Sequence, residues 1–149
     1  MKFFRRFIPK QLFKALQPHY HLALAYLGSF LYLSPSKKLF VVGVTGTKGK
    51  TSAVELVNAI LEKEGFRTAL ASTVRFKIGE KSFDNKFKMT TIGRFFTQRL
   101  LRRAVSSGCT HAVLEISSEA ARQYRHLFLN LDALIFTNLA PEHIEAHGS

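Results

Sequence analysis

The sequence predicts an α/β domain built on a mostly parallel sheet with flanking helices. Three observations carry this. Short apolar, β-branched segments alternate with longer amphipathic ones. The first apolar segment runs directly into a glycine-studded turn. The polar clusters fall just after the apolar segments, where the carboxyl ends of parallel strands gather a site.

Residues 39–44 (Leu-Phe-Val-Val-Gly-Val) read as a buried strand. Residues 50–64 read as a helix with Val54, Val57, Ile60 and Leu61 on its inward face, closed by Gly65. Residues 68–72 read as a second strand. From Val74 to Phe83 apolar and polar residues alternate about Gly79, the pattern of a hairpin with one exposed face. Residues 93–107 read as a helix, with Phe96, Leu100, Leu101 and Ala104 inward and Arg94, Arg99, Arg102 and Arg103 outward. Residues 112–116 form a third buried strand, residues 118–126 a short helix, and residues 133–137 a fourth strand. The order of these elements implies right-handed crossovers.

Between the first strand and its helix stands Gly46-Thr47-Lys48-Gly49-Lys50-Thr51-Ser52. Small residues let backbone N–H groups approach phosphate oxygens, and the helix adds its free N–H groups and positive dipole end. Lys50 would reach the terminal phosphates, and the Thr51 hydroxyl would sit on Mg²⁺. The strict P-loop pattern fails at its first position, where Val44 stands and the nearest glycines are Gly43 and Gly46. The fold class is therefore a P-loop-type sheet, and ATP with Mg²⁺ is the expected ligand pair. An ordinary strand-to-helix turn is the bland alternative.

The chain of 149 residues carries a net charge of +12, unevenly placed. Residues 1–38 hold Lys2, Arg5, Arg6, Lys10, Lys14, Lys37 and Lys38 and no Asp or Glu, leaving +5 to the rest. The chain therefore divides into a basic, aromatic helical extension at 1–38 and a nucleotide-binding body at 39–149. The extension has the basic start and apolar middle of a secretory signal, but Gln17-Pro18-His19 interrupts the approach and no small-x-small cleavage site follows. Three readings stay open for residues 1–33: a helix packed on the body, a peripheral membrane-surface element, or a docking helix for a partner. Nucleic-acid binding is not expected, since positive charge alone is non-specific. The lone Cys109 excludes an internal disulfide and reads as a small buried hydrophobe in a reducing, cytoplasmic setting. No charge-free stretch reaches the roughly 20 apolar residues needed to cross a bilayer.

The chemistry-bearing residues cluster at the strand ends. Glu115 ends an otherwise apolar strand, where a carboxylate costs free energy unless paired or metal-bound. Next to phosphate and Mg²⁺, oxygen coordination is its natural role; an arginine ion pair is the structural alternative. Asn138 and His143 follow the fourth strand. His143 either coordinates a metal or caps a helix beginning near Pro141, and His147 has a weaker case. His19, His21, His111 and His126 show no metal-ligand spacing. Thr90 and Thr91 suit an anionic substrate group or a plain N-cap for the helix at 93. Gln123 and Arg125 follow the Ser117-Ser118 pair, and the Arg125 fork suits a carboxylate or phosphate.

Taken together, Gly46-Thr-Lys-Gly-Lys-Thr51, Thr90-Thr91, Glu115-Ile-Ser-Ser118, Gln123-Tyr-Arg125, Thr137-Asn-Leu139 and Glu142-His-Ile-Glu-Ala-His-Gly148 resemble the ATP-dependent murein (Mur) ligase family. Their order and spacing are most like the members that add the third residue of the peptidoglycan stem peptide. The resemblance covers residues 39–149. It implies ADP-forming amide synthesis, in which a substrate carboxylate is phosphorylated and an amino acid's amine displaces phosphate. It implies that Lys50 and Thr51 serve ATP and Mg²⁺, with Gly46, Thr47, Lys48, Gly49, Ser52 and Asn138 completing the nucleotide site. Glu115 and His143 match metal ligands, and with Lys50 form the catalytic set. Thr90, Thr91, Ser117, Gln123 and Arg125 match contacts to the muramoyl-peptide. The sequence departs from the family at Lys48 (usually Asn), Glu119 (usually His), Glu142 (usually Asp) and Ile92-Gly93 (usually a Pro after the threonines). The resemblance also implies a longer ligase, of which these 149 residues are the incomplete ATP half, inactive alone. A folylpolyglutamate-synthase-like ligase and a non-catalytic P-loop module docked to a membrane or partner are the competing readings.

Overall fold

The computed structural model describes residues 10–87, 89–91 and 93–140, with side chains from residue 16 onward except at Arg122. Helix α1 (Lys10–Leu31) leads through a 3-10 turn (Pro35–Lys38) into strand β1 (Phe40–Thr45). Helix α2 (Lys50–Lys63), strand β2 (Thr68–Ala71) and a hairpin of β3 (Arg75–Ile78) and β4 (Lys81–Asp84) follow. Helix α3 (Arg94–Ser106), β5 (His111–Glu115), α4 (Ser118–Arg122) and β6 (Ala133–Phe136) complete the described elements. These form one six-stranded sheet in the order β4-β3-β2-β5-β1-β6. β2, β5, β1 and β6 run parallel, and the hairpin adds two antiparallel strands at one edge. The predicted α/β class holds.

Both faces of the central strands are covered, so their sequences are continuously apolar. The pleat sorts the side chains by parity. Val41, Ala69, Ala112 and Leu114 join Leu100, Leu101 and Ala104 of α3 in one core. Val42, Val44, Leu70 and Val113 join Val54 of α2 in the other. Each fully buried Val or Leu stabilises the fold by roughly 1.5–3 kcal/mol. Cys109 lies in the α3-side core, where its thiol donates to Thr68 O at 3.3 Å and burial pushes its pKa up.

Four local expectations change. The helix expected over 118–126 ends at Arg122, because Tyr124 takes a left-handed backbone at φ +54°. Ile60 is 54 % exposed, and the buried stripe of α2 passes instead through Val54 and Asn58. Asn58 tolerates burial because its Oδ1 accepts from the Thr68 hydroxyl at 2.7 Å. Arg94, expected on the outward face of α3, is half-buried and donates to the Gln123 carbonyl. Helix α1 runs unbroken through Pro18. One missing amide bond is outweighed where the later turns pack: Ala25 and Ser29 are buried, and Gly28 brings the helix close to Phe95 and Gln98 of α3. On the far edge, β6 leaves Leu134 and Phe136 exposed on one face.

Candidate active site

The carboxyl ends of β1, β2, β5 and β6 lie together along the sheet, and the predicted residues gather there. After β1 the chain turns through Gly46 (φ +133°) and Gly49 (φ +76°) into α2. Gly46 is needed for space as well as conformation: a Cβ there would meet Thr137 Oγ1 at 2.2 Å and the Asn138 carbonyl at 2.9 Å. Gly49 meets nothing, so only its left-handed backbone requires glycine. The first turn of α2 carries no acidic residue to oppose its positive dipole end. Lys50 curls over the loop, its Nζ donating to the Gly46 and Thr47 carbonyls at 2.8 Å each.

The end of β6 clamps this loop from outside. The Asn138 amide takes both sides of Lys48, accepting from its N–H at 2.9 Å and donating to its carbonyl at 3.0 Å. Thr137 Oγ1 donates to the same carbonyl at 2.7 Å, and Thr47 N–H donates to Asn138 O at 3.0 Å. Asn138 therefore holds the shape of the loop. The Lys48 side chain is exposed and only its backbone is engaged, so lysine fits a position where the loop asks nothing of the side chain.

Glu115 is 4 % exposed, and its side-chain partners among the described residues are neutral. The Thr51 hydroxyl lies 3.1 and 3.2 Å from its two oxygens. Thr73 donates to Oε2 from its N–H at 2.7 Å and from its hydroxyl at 3.1 Å. No Lys or Arg among the described residues pairs with it, which removes the arginine ion-pair alternative there. A buried carboxylate held by hydroxyl and amide donors, beside the P-loop threonine, is a hard oxygen donor set suited to a divalent cation. Among the described residues no three His, Cys, Asp or Glu side chains converge, so Glu115 and hydroxyl oxygens would be the protein's donors here. His143, Glu142 and His147 lie outside the described residues.

A second set of bonds continues from Glu115 toward α4. Thr73 Oγ1 lies 3.1 Å from Thr90 Oγ1. The Thr91 hydroxyl donates to Glu115 O at 3.1 Å and accepts from Ser117 N–H at 2.9 Å. The N-cap of α3 is Gly93, with no side-chain cap, so Thr91 serves the β5 end and Thr90 meets Thr73 after β2, rather than capping the helix. Ser117 caps α4 by accepting from Ala120 N–H at 3.2 Å. Tyr124 takes a left-handed backbone (φ +54°), which folds Arg125 back onto its neighbours. Arg125 directs Nε and one terminal nitrogen to Gln123 Oε1 at 3.0 and 2.7 Å, and the other to the Thr91 carbonyl. Gln123 Oε1 thus occupies the fork a carboxylate would take. Gln123 Nε2 donates to Glu119 Oε1 at 3.0 Å, so the unusual glutamate orients the glutamine. Burial and then the neighbouring Arg125 lower the Arg94 guanidinium pKa; burial, then Arg94 and Arg125, lower that of His21.

Lys50, Thr51, Glu115, Thr90, Thr91, Ser117, Gln123 and Arg125 thus share one continuous rim. The sequence reading left out Thr73, placed Arg94 on the outward face of α3, and gave Thr137 only as part of the motif Thr137-Asn-Leu139. Thr73 lies two residues past the carboxyl end of β2, the same kind of position as the other polar clusters, and that is the signal that marks it. Thr137 stood inside the predicted fourth strand and showed no sign of the loop it would clamp.

Residues 44–149 match the Mur ligase middle domain. The chain belongs to the Mur ligase family. It is 40 % identical over 134 residues to a UDP-N-acetylmuramyl-tripeptide synthetase of Roseiflexus sp. (strain RS-1), covering 89 % of this chain and 26 % of that protein. It is 35 % identical over 127 residues to a UDP-N-acetylmuramoyl-L-alanyl-D-glutamate--2,6-diaminopimelate ligase of Geobacillus kaustophilus (strain HTA426), covering 85 % and 26 %. Among solved structures, a UDP-N-acetylmuramoyl-L-alanyl-D-glutamate--2,6-diaminopimelate ligase superposes with a TM-score of 0.71 at 25 % identity, covering 84 % of this chain and 26 % of that one. The chain therefore spans about a quarter of the length of these relatives. The Mur ligase match contains the phosphate loop, Glu115 and the Thr91–Arg125 network, and the six strands are a partial Mur ligase domain.

Proposed function

We propose that this chain carries the ATP end of an ADP-forming amide ligase in peptidoglycan synthesis. Its substrate is a UDP-muramoyl-peptide, to whose free carboxylate an amino acid is joined. The observation that supports this best is the Thr51 hydroxyl set against the buried, cation-free Glu115 carboxylate at the mouth of the phosphate loop. ATP supplies the phosphoryl group: the substrate carboxylate oxygen bonds to the γ-phosphorus as the bond to ADP breaks. The amine then bonds to the acyl carbon, phosphate leaves with the oxygen, and the amine gives up a proton. Both steps develop negative charge on phosphate oxygens, and fixed cations and helix N-termini are the means of stabilising it. Lys50, released from the Gly46 and Thr47 carbonyls, is the mobile cation, and the first turn of α2 is the fixed one. Thr51 and Glu115 would hold Mg²⁺, with His143 as the further ligand implied by family resemblance. Arg125, Gln123, Thr91 and Ser117 would hold the muramoyl-peptide's acidic end. Isolated, the 149 residues are expected to bind nucleotide without turnover.

The test uses the full-length protein with ATP, Mg²⁺ and a panel of amino acids, reading ADP release. UDP-N-acetylmuramoyl-L-alanyl-D-glutamate should stimulate release together with one amino acid. Stimulation by a folate and glutamate instead would transfer the protein to the competing ligase class. Nucleotide binding with no acceptor-dependent ADP release would leave only the binding module.

A further inference from the structure

Helix α1 uses one side to pack on α3 and leaves the other bare. Tyr20, Tyr26, Leu27, Phe30, Leu31 and, just past its end, Leu33 are each between 44 % and 66 % exposed. Residues 15–36 contain no Lys, Arg, Asp or Glu, so the outward side has no charged residue to keep it in water. A helix that is apolar all round is ordinarily enclosed on all sides. The apolar surface continues past the helix: Tyr26 meets Phe128 edge-on at 5.6 Å, and both line an open groove of about 390 Å³ with Phe30 and Lys37.

The charges flanking this surface are all of one sign. Lys2, Arg5, Arg6, Lys10 and Lys14 precede it, Lys37 and Lys38 follow it, and no acid lies within residues 1–38. No helix among the described residues is long and apolar enough to cross a membrane. A second copy on the same surface would set two segments of net positive charge against each other. The surface suits an anionic, apolar partner, with tyrosines positioned for the boundary between headgroups and acyl chains.

We propose that the outward side of α1 lies on an anionic phospholipid surface, Tyr20, Tyr26, Leu27 and Phe30 entering the acyl boundary and the exposed Lys37 and Lys38 resting on the headgroups. Each Lys or Arg held near such a surface strengthens adsorption by about fivefold. The arrangement would keep the ligase body beside the membrane.

The experiment is vesicle co-sedimentation of the full-length protein, using phosphatidylcholine with and without phosphatidylglycerol. The wild type should sediment with the anionic vesicles, not with the neutral ones, and should be released by high salt. Phe30→Glu with Leu27→Glu should weaken binding by about tenfold or more while melting temperature and nucleotide binding stay unchanged. Lys37→Glu with Lys38→Glu tests the electrostatic half separately, should the first pair disturb the fold. Absence of anionic-vesicle binding, equal binding to neutral vesicles, or indifference to both pairs would overturn the proposal. So would a dimer that Phe30→Glu dissociates with no change in vesicle binding, which would assign the surface to a second copy.

Discussion

Two glutamates at opposite ends of the sheet show what folding completes and what it leaves for a ligand. Glu62, near the amino end of β2, is matched by its own chain: Lys77 donates to it, and the Thr68 hydroxyl lies 2.8 Å away. Glu115, at the carboxyl end of β5, is more deeply buried, yet among the described residues its carboxylate meets only Thr51 and Thr73. The nearby cation, Lys50, lies on loop carbonyls instead. A fold stabilised for its own sake would pair these two charges. On the proposed function, keeping them apart leaves a carboxylate for a cation and an ammonium for an anion, which a metal-bound nucleotide would supply together.

The comparison is broken most severely at the loop that separates the two charges. Gly46→Ala drives a methyl into Thr137 and Asn138, so nucleotide binding should vanish, with about 1–3 kcal/mol of stability lost to backbone strain alone. Gly49→Ala, with open space around it, should cost only about 1–2 kcal/mol. Calorimetric titration with a nucleotide and thermal melts distinguish the two. Glu115→Gln should reduce Mg²⁺-dependent nucleotide affinity by about 100-fold, the scale of the few kcal/mol a bound cation supplies. Stability should change little, because the amide oxygen of the isosteric side chain can still accept from Thr51 and Thr73. A large stability loss instead would make Glu115 a structural residue. Thr73→Val takes one hydroxyl from Glu115 and from Thr90, and should destabilise the fold by about 1–3 kcal/mol while weakening Mg²⁺ dependence less than Glu115→Gln does.

The smallest effect belongs to the paired end. Burial alone would raise the Glu62 carboxyl, but hydrogen bonds from Lys77 and Thr68 hold it below its ordinary value. A depressed folded-state pKa contributes stability above the unfolded pKa, and that stability disappears as pH falls through the folded value. Urea melts of the wild type should lose this increment below the ordinary carboxylate range. Glu62→Gln should flatten the acid-side slope and change neutral-pH stability by less than about 1 kcal/mol.

The strand and helix order was legible because period and composition are local. The runs at 39–44, 68–72, 112–116 and 133–137 and the alternation about Gly79 correspond to β1, β2, β5, β6 and the β3–β4 hairpin. Glu115 stood out for the same reason, as a charge in an apolar run. Ile60 and Arg94 were misplaced because helical phase alone cannot say which neighbour occupies a face. Asn58 found a hydroxyl across the α2–β2 contact, and Arg94 found a carbonyl in the turn after α4. Thr137 and Asn138 carry no signal of clamping a loop some 90 residues earlier, because that contact exists only once β6 lies beside β1.

By itself, the sequence determined the α/β class, the phosphate loop, the isolated glutamate and the family, since each rests on residue type at short spacing. Tertiary structure decided which charges meet and which do not. Thr51 and Thr73 converge on Glu115, Lys50 turns to its own loop, and Arg125 closes on Gln123. It also decided that one side of the basic N-terminal helix is packed and the other free. Those outcomes depend on strand order and on directional hydrogen bonds between distant segments, which no local pattern encodes.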